Sequence, residues 1–404
     1  MVGRVSAPRG EALHVVVVVD SLRDNGGVRV ALEYARKWQE FGAEHGGVTA
    51  EVCAVQDVDD GALATPPARV PLVFGTARGS RFRYAWPRAV AQLVRRARRA
   101  DVVLAGSETG IGVLLGHLAA RVTRRPFVVL AQADVEDAMA TWVPRPLRPL
   151  TRAVLRRADA AVCVADSIVP GLVALGLPAD RISVVVNGID VADVRLRAGL
   201  PVEAGERPDP VRPAGPPTVV AVGRLSVQKD FTLLVRAHAR VREAGLEHRL
   251  MIIGEGPERG TVERCVAELG VGGSVDVPGH LDTPHRHTAT ADLFVLSSRT
   301  EGSPLAVLEA LSVGAPIVAT RCGTGVELLL DGGAYGDLVE PGSVDELSAA
   351  IERHLRDPEP LRALAEKGPD RARSFDVSLS ARRVLAVLAG AAGARQVLDR
   401  VRVR

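Results

Sequence analysis

Short β-branched runs alternate with longer amphipathic stretches along this chain. Apolar runs at 15–19, 102–104, 127–130, 161–164 and 182–186 read as buried parallel strands. Arg/Ala/Leu stretches of helical length lie between them, as at 87–99 and 147–157. Alternation of this kind predicts a doubly wound parallel sheet. The pattern stops at 199–217 (GLPVEAGERPDPVRPAGPP), which holds six prolines and no periodic apolar face. Such a segment reads as a linker. The alternation then restarts, with strands expected at 219–222, 250–253, 275–277, 293–296 and 317–319. Helical patterns follow at 231–244, 257–269, 304–313, 344–355 and 360–373.

The fold class is therefore α/β, with two Rossmann-like doubly wound domains facing across a cleft. The expected division is a first domain at 1–200, a Pro-rich linker at 201–217 and a second domain at 218–375. A last helix at 376–404 can cross back onto the first domain. A length of 404 residues agrees, being too long for one ordinary core. In open parallel sheets, ligands sit beyond the carboxyl ends of the strands. A hinge in the linker would open and close the cleft.

Composition narrows the function. Hydrophobic residues make up 47% and charged residues 25%, the balance of a soluble globular protein. A net charge of +3 gives no dense basic stripe, so nucleic acid is not an expected partner. Cys53, Cys163, Cys265 and Cys322 are isolated, which fits a reducing cytoplasm and neither a metal knuckle nor a disulfide framework. The run at 15–19 is too short to span a membrane and lacks a signal-peptide layout. A cytoplasmic protein without metal or cofactor is expected; nothing fixes its oligomeric state. His285 and His287 read as part of a solvated loop. The Arg clusters at 95–99 and 152–157 read as solvated helix faces, with peripheral contact to the inner membrane face as the alternative. Of the basic residues only Lys37, Lys229 and Lys367 are lysine. A lysine in that background marks either chance or a need for a compact ammonium.

Candidate chemistry is densest at 299–320. After the apolar run 293–296 comes a polar loop ending Glu301-Gly302-Ser303, then Pro304 where a helix would begin. Ser303 is the expected cap, and the amides of Leu305 and Ala306 would form an anion site suited to phosphate. Glu301 and Glu309 suit sugar and ribose hydroxyls better than phosphate. The alternative is a capped helix with one loop acid and one exposed acid. A second segment, Gly223-Arg224-Leu225-Ser226-Val227-Gln228-Lys229-Asp230, follows the first strand of the second domain. Gly223 allows a tight turn, and Arg224 and Lys229 supply two cations able to neutralise a diphosphate leaving group. Taken alone, it reads equally as an ordinary surface loop. Gly26 and Gly27, before a helix starting near Val28, would admit a phosphate or sugar to backbone amides, a weak signal by itself. Gly254-Glu255-Gly256-Pro257 reads as a tight turn into a helix. A nucleobase could rest at Gly279-His280-Leu281.

Together these motifs resemble the family-four retaining glycosyltransferases of the GT-B fold. The resemblance is strong over 219–339, through Gly223/Arg224/Lys229, Gly254/Gly256/Pro257, Gly279/His280 and Glu301/Glu309. It is fair over 158–190, through Asn187-Gly188-Ile189-Asp190, and thinner before residue 150. It implies that Arg224 and Lys229 hold a donor diphosphate, Glu309 the ribose hydroxyls, and Glu301 the donor sugar near its reacting carbon. The Gly26-Gly27 loop would cap donor or acceptor. It further implies retention of configuration without an obligatory metal, by same-face attack in which the leaving phosphate oxygen takes the acceptor's proton. The partners implied are a nucleotide-sugar donor, UDP before GDP, and a hydroxyl-bearing acceptor: a glycan, a lipid-linked intermediate or a small molecule. One departure stands out. The family commonly carries a His after the strand at 127–130, where this chain reads Ala131-Gln132-Ala133-Asp134; Gln132 or Asp134 would take its place on the donor sugar. Two rivals remain: a sugar-nucleotide 2-epimerase of the same fold, for which no carboxylate and His set stands out, and a binding protein that has lost turnover.

Overall fold

The computed structural model describes residues 12–22, 26–57, 70–77, 82–202, 215–394 and 396–397. Two parallel sheets organise it. The first holds β1 (Leu13–Val19), β2 (Val48–Ala54), β3 (Leu72–Phe74), β4 (Val102–Ala105), β5 (Phe127–Ala131), β6 (Ala160–Cys163) and β7 (Ile182–Val184). Their order is β3-β2-β1-β4-β5-β6-β7. The second holds β8 (Thr218–Val222), β9 (Arg249–Ile253), β10 (Val275–Gly279), β11 (Leu293–Leu296), β12 (Ile317–Thr320) and β13 (Asp337–Val339), in the order β10-β9-β8-β11-β12-β13. Each sheet thus reverses its winding once, between β1 and β4 and between β8 and β11. Such switch points open a crevice at the carboxyl ends of the strands.

The central strands are buried on both faces, as their unbroken Val/Leu/Ile/Ala sequences require: Val15, Val16 and Val17 of β1 have no exposed surface. The helix Gly26–His45 buries Tyr34 and Trp38. The Trp38 indole N–H donates to Ala381 O (2.7 Å) on the helix Val377–Ala392. Ser380 Oγ of that helix donates to Val186 O (2.8 Å). One compact unit accordingly comprises Met1–Gly188 with Val377–Arg404, and the other comprises Ile189–Asp376.

Some elements depart from the sequence expectation. The strands β2, β3 and β13 are additions; β2 reads VTAEVCA, and its inward Glu51 breaks the apolar run. Glu51 is buried against Arg96 (3.1 Å) and His14 (3.6 Å). The helical pattern at 360–373 is two helices, Glu359–Ala365 and Gly368–Arg373. Gly368 abuts Leu311, whose carbonyl oxygen would stand 2.8 Å from an added Cβ. Helix Val191–Ala198 groups with the second unit, so the chain changes unit at Gly188/Ile189, upstream of the Pro-rich segment. Arg195 fixes that helix by donating to Ser312 O (2.9 Å) and Pro201 O (2.7 Å). Most of the expected linker, 203–214, lies outside the described residues, as do Arg23, Asp24 and Asn25 of the first-domain loop. No described helix is long and apolar enough to cross a membrane.

Candidate active site

Three loops at the carboxyl end of the second sheet are stacked backbone on backbone. Gly223 N donates to Ile253 O (3.0 Å), Leu225 N to Glu255 O (2.9 Å) and Gly254 N to Gly279 O (2.9 Å). A Cβ on Gly254 would stand 1.9 Å from Gly223 O, and its φ of 148° is one that side chains rarely adopt. A Cβ on Gly256 would meet Leu225 O at 2.2 Å. Both glycines are therefore dictated by close approach of main chain to main chain.

The loops after β8 and β11 are joined by charge. Lys229 Nζ stands 2.5 Å from Glu301 Oε1, and Ser298 Oγ donates to that same oxygen at 2.7 Å. Asp230, at φ 44°, caps the helix Phe231–Glu243 and takes Arg299 Nε at 2.7 Å. Gln228 donates through its side chain to Thr300 O (2.8 Å), and Ser297 Oγ donates to Lys229 O (2.9 Å). Lys229 is thus locked at its backbone and at its ammonium. Arg224 is exposed at the start of the same loop. Cys322 is buried, and burial together with the nearby Glu301 charge pushes its thiol up to about 12. It stays protonated near neutrality and is a poor nucleophile.

Pro304, at φ −71° and ψ 109°, is itself the cap of the helix Leu305–Ser312. This corrects the expected cap at Ser303. An extended proline at the cap position puts Ser303 one residue too early to reach the first-turn amides. Ser303 Oγ is buried and has no hydrogen-bond partner among the described residues. Leu305 and Ala306 nonetheless open the helix, and first-turn amides have no intrahelical acceptor. The segment 323–325 lies on this loop: added Cβ atoms would stand 2.2 Å from Glu301 O at Gly323 and 1.7 Å from Gly302 O at Gly325. Glu309, within the helix, faces His285 Nε2 at 3.8 Å. His285 is buried in the helix Pro284–Thr290, which corrects the solvated-loop expectation. His280 lies 3.8 Å from Asp282, and Leu281 packs on Val220, Ile253 and Ala291.

In the first unit, Gly26 and Gly27 open the helix Gly26–His45 rather than precede it. Asp134 caps the helix Val135–Trp142, accepting from Glu136 N and Asp137 N. Gln132 Oε1 accepts from Asn187 Nδ2 (3.2 Å), while its Nε2 is buried without a partner among the described residues. Beneath this loop lies Glu108, 1% exposed, which accepts from Gln132 N at 2.8 Å. Burial pushes its carboxyl up to about 7 against the opposing pull of the Gln132 and Ala133 amides. Asp20, at the end of β1, accepts from Gly112 N (2.5 Å) at the start of the helix Ile111–Thr123.

Comparison with known proteins decides the family. Residues 203–371 match Glycosyl transferases group 1, and residues 24–193 match Glycosyltransferase Family 4. The 2-deoxystreptamine glucosyltransferase of Streptomyces kanamyceticus is 30% identical over 304 residues, 69% of this chain and 75% of that protein. The chain belongs to the group 1 glycosyltransferases. The lipopolysaccharide core biosynthesis glycosyltransferase LpsE of Rhizobium meliloti is 27% identical, covering 59% of this chain and 71% of the relative. Among solved structures, Anabaena HepE in complex with UDP and glucose superposes with a TM-score of 0.75 at 20% identity, covering 93% and 99% of the two chains. The sucrose-phosphate synthase of Thermosynechococcus elongatus gives 0.71 at 18% identity, covering 95% and 100%. These similarities establish the GT-B fold.

In this glycosyltransferase the second unit brings Gly223, Lys229, Gly254, Glu301, Gly302 and the Leu305 helix start onto one end of one sheet. Of the two proposed substitutes for the family His, Asp134 uses its Oδ1 on a helix cap, and Gln132 points a buried amide nitrogen that has no partner among the described residues. Sequence reading missed Ser298, Glu108 and Asp20, and placed His285 in a solvated loop. The Gly-x-Gly at 323–325 was a legible signal for close backbone approach; the others are single polar residues with no spacing to mark them.

Proposed function

We propose that this glycosyltransferase moves a hexose-type unit from a nucleoside diphosphate, UDP favoured, to a hydroxyl acceptor with retention of configuration and without an obligatory metal. The observation that carries the reading is the Lys229–Glu301 contact, fixed by Ser298 and standing beside the helix that starts at Leu305. An ammonium with open first-turn amides suits a diphosphate whose charge grows as the sugar departs. Glu301 then offers its carboxylate to the sugar hydroxyls, and Glu309 to the ribose. Arg224, exposed on the same loop, adds the second cation. On the first unit, the Gln132 amide nitrogen and the main-chain amides at Gly26 and Gly27 are the groups we assign to substrate binding. The leaving phosphate oxygen takes the acceptor proton. The acceptor is a glycan, a lipid-linked intermediate or a small molecule. The Streptomyces relative's name points to an aminocyclitol, and the Rhizobium relative's to a lipopolysaccharide core. GDP stays in the test set because a relative 30% identical is named a GDP-mannose-dependent mannosyltransferase.

Calorimetric titration with UDP, GDP and their sugar conjugates, with and without EDTA, tests this. Saturable binding that survives EDTA and disappears in Lys229→Ala supports the site. Binding that requires a metal ion, or none to any nucleotide, overturns it.

A further inference from the structure

His285 sits where a leucine would serve the fold better. The helix Pro284–Thr290 buries Pro284, His285, Thr288 and Ala289. His285 is 7% exposed, and its Nδ1 is buried without a hydrogen-bond partner among the described residues. A buried polar atom left unpaired destabilises the fold relative to an apolar side chain of similar size. What the ring faces is Glu309: Nε2 lies 3.8 Å from Oε1, within ion-pairing range and just beyond a direct hydrogen bond. Glu309 is itself mostly covered, its side chain 15% exposed. A glutamate on the first two turns of a short helix has three side-chain torsions to hold. An imidazole planted against one carboxylate oxygen restricts where that carboxylate can swing.

We infer that His285 is a positioning residue that holds the Glu309 carboxylate for the ribose hydroxyls of the nucleotide. This rests on the reading of Glu309 given above. The ligand is thus a nucleoside diphosphate with both ribose hydroxyls present. His285 acts on its binding and not on the sugar transfer itself.

The test compares UDP with 2′,3′-dideoxy-UDP by calorimetry, repeated with the GDP pair if GDP binds more tightly, on wild type, His285→Leu, His285→Gln and Glu309→Ala. Wild type is expected to prefer the ribonucleotide. His285→Leu weakens UDP about tenfold, equivalent to about 1.4 kcal/mol, and leaves the dideoxy compound unchanged. His285→Gln, whose amide nitrogen reaches close to the imidazole Nε2, restores most of the preference. Turnover at saturating donor stays near wild type, while KM for the donor rises with Kd. If Glu309→Ala loses the preference but both His285 variants keep it, the positioning role is wrong. If Glu309→Ala keeps it, Glu309 does not hold the ribose and the reading beneath the inference fails. Equal weakening of both nucleotides in His285→Leu and His285→Gln would reduce His285 to a packing residue.

Discussion

The two units place a carboxylate near the carboxyl end of their central strands and treat it in opposite ways. In the second unit Glu301 meets a cation, Lys229, and a hydroxyl, Ser298, and its side chain is 8% exposed. In the first unit Glu108 is buried beneath the β5 loop with main-chain amides around it and no cation paired with it among the described residues. Its carboxyl is pushed up to about 7. A carboxylate with a fixed cation is held in place by a charge-assisted hydrogen bond. One buried among amides and the Ser107 hydroxyl without a cation gives up much of its charge as the pH falls toward neutrality. One chain thus pairs a carboxylate with a cation at the end of one sheet and with loop amides at the end of the other.

The contrast breaks most visibly at the ion pair. Lys229→Ala and Glu301→Ala should each lower turnover about a hundredfold or more, roughly 3 kcal/mol of transition-state electrostatics. Near-normal turnover in both would remove the pair from the chemistry. Gly254→Ala should follow, because its Cβ would stand 1.9 Å from Gly223 O. A loss of about 3 kcal/mol in urea unfolding is expected, with nucleotide affinity falling as the loops after β8 and β9 part. Wild-type stability in this variant would mean that the loop stack is not tight.

Glu108 gives a pH signature of opposite sign to that of a paired acid. Its folded pKa, about 7, lies above its ordinary value of 4.5. The stability it adds is therefore complete below about pH 4.5 and is lost as the pH rises through 7. Melting curves of Glu108→Gln minus wild type should climb between pH 5 and pH 8, by an amount worth at most about 3 kcal/mol. A flat difference would show that Glu108 titrates normally. The smallest effect belongs to an exposed pair of the first unit, Arg152 with Glu136, whose side chains are about half exposed. Arg152→Ala should leave the melting temperature unchanged within error, since solvent screens such pairs. A clear drop would mean that the exposed helix face around Arg152 carries structure.

Much of the second unit was legible because its signals are local. Glycines forced by backbone contact, as at Gly254 and Gly256, must appear as glycine in any reading of the chain. A proline before an apolar periodic run, as at Pro304, marks a helix start to within a residue. Ser303 shows the limit: a serine before Pro304 has the look of a cap, yet proline's own extended conformation took the cap position. The first unit was less legible because its site residues are single polar side chains. Asp134, read in the sequence as a substitute for the family His, also caps a helix through its Oδ1, which its spacing alone did not announce. Glu108, in the run Gly106-Ser107-Glu108-Thr109-Gly110, had no spacing to mark it.

The sequence by itself determined the two parallel sheets, the loop glycines and the family, since strand periodicity, backbone sterics and motif spacing are written along the chain. Tertiary structure alone decided which polar groups meet. Lys229 and Glu301 lie 72 residues apart and become neighbours because β8 and β11 are adjacent in the sheet. Helix Val191–Ala198 joins the second unit because Arg195 finds the Ser312 carbonyl. His285 turns inward because the face it shares with Thr288 and Ala289 is the buried one. Periodicity predicts that a face is buried, but the partner of a buried charge comes from another segment, and strand order and helix packing choose that segment.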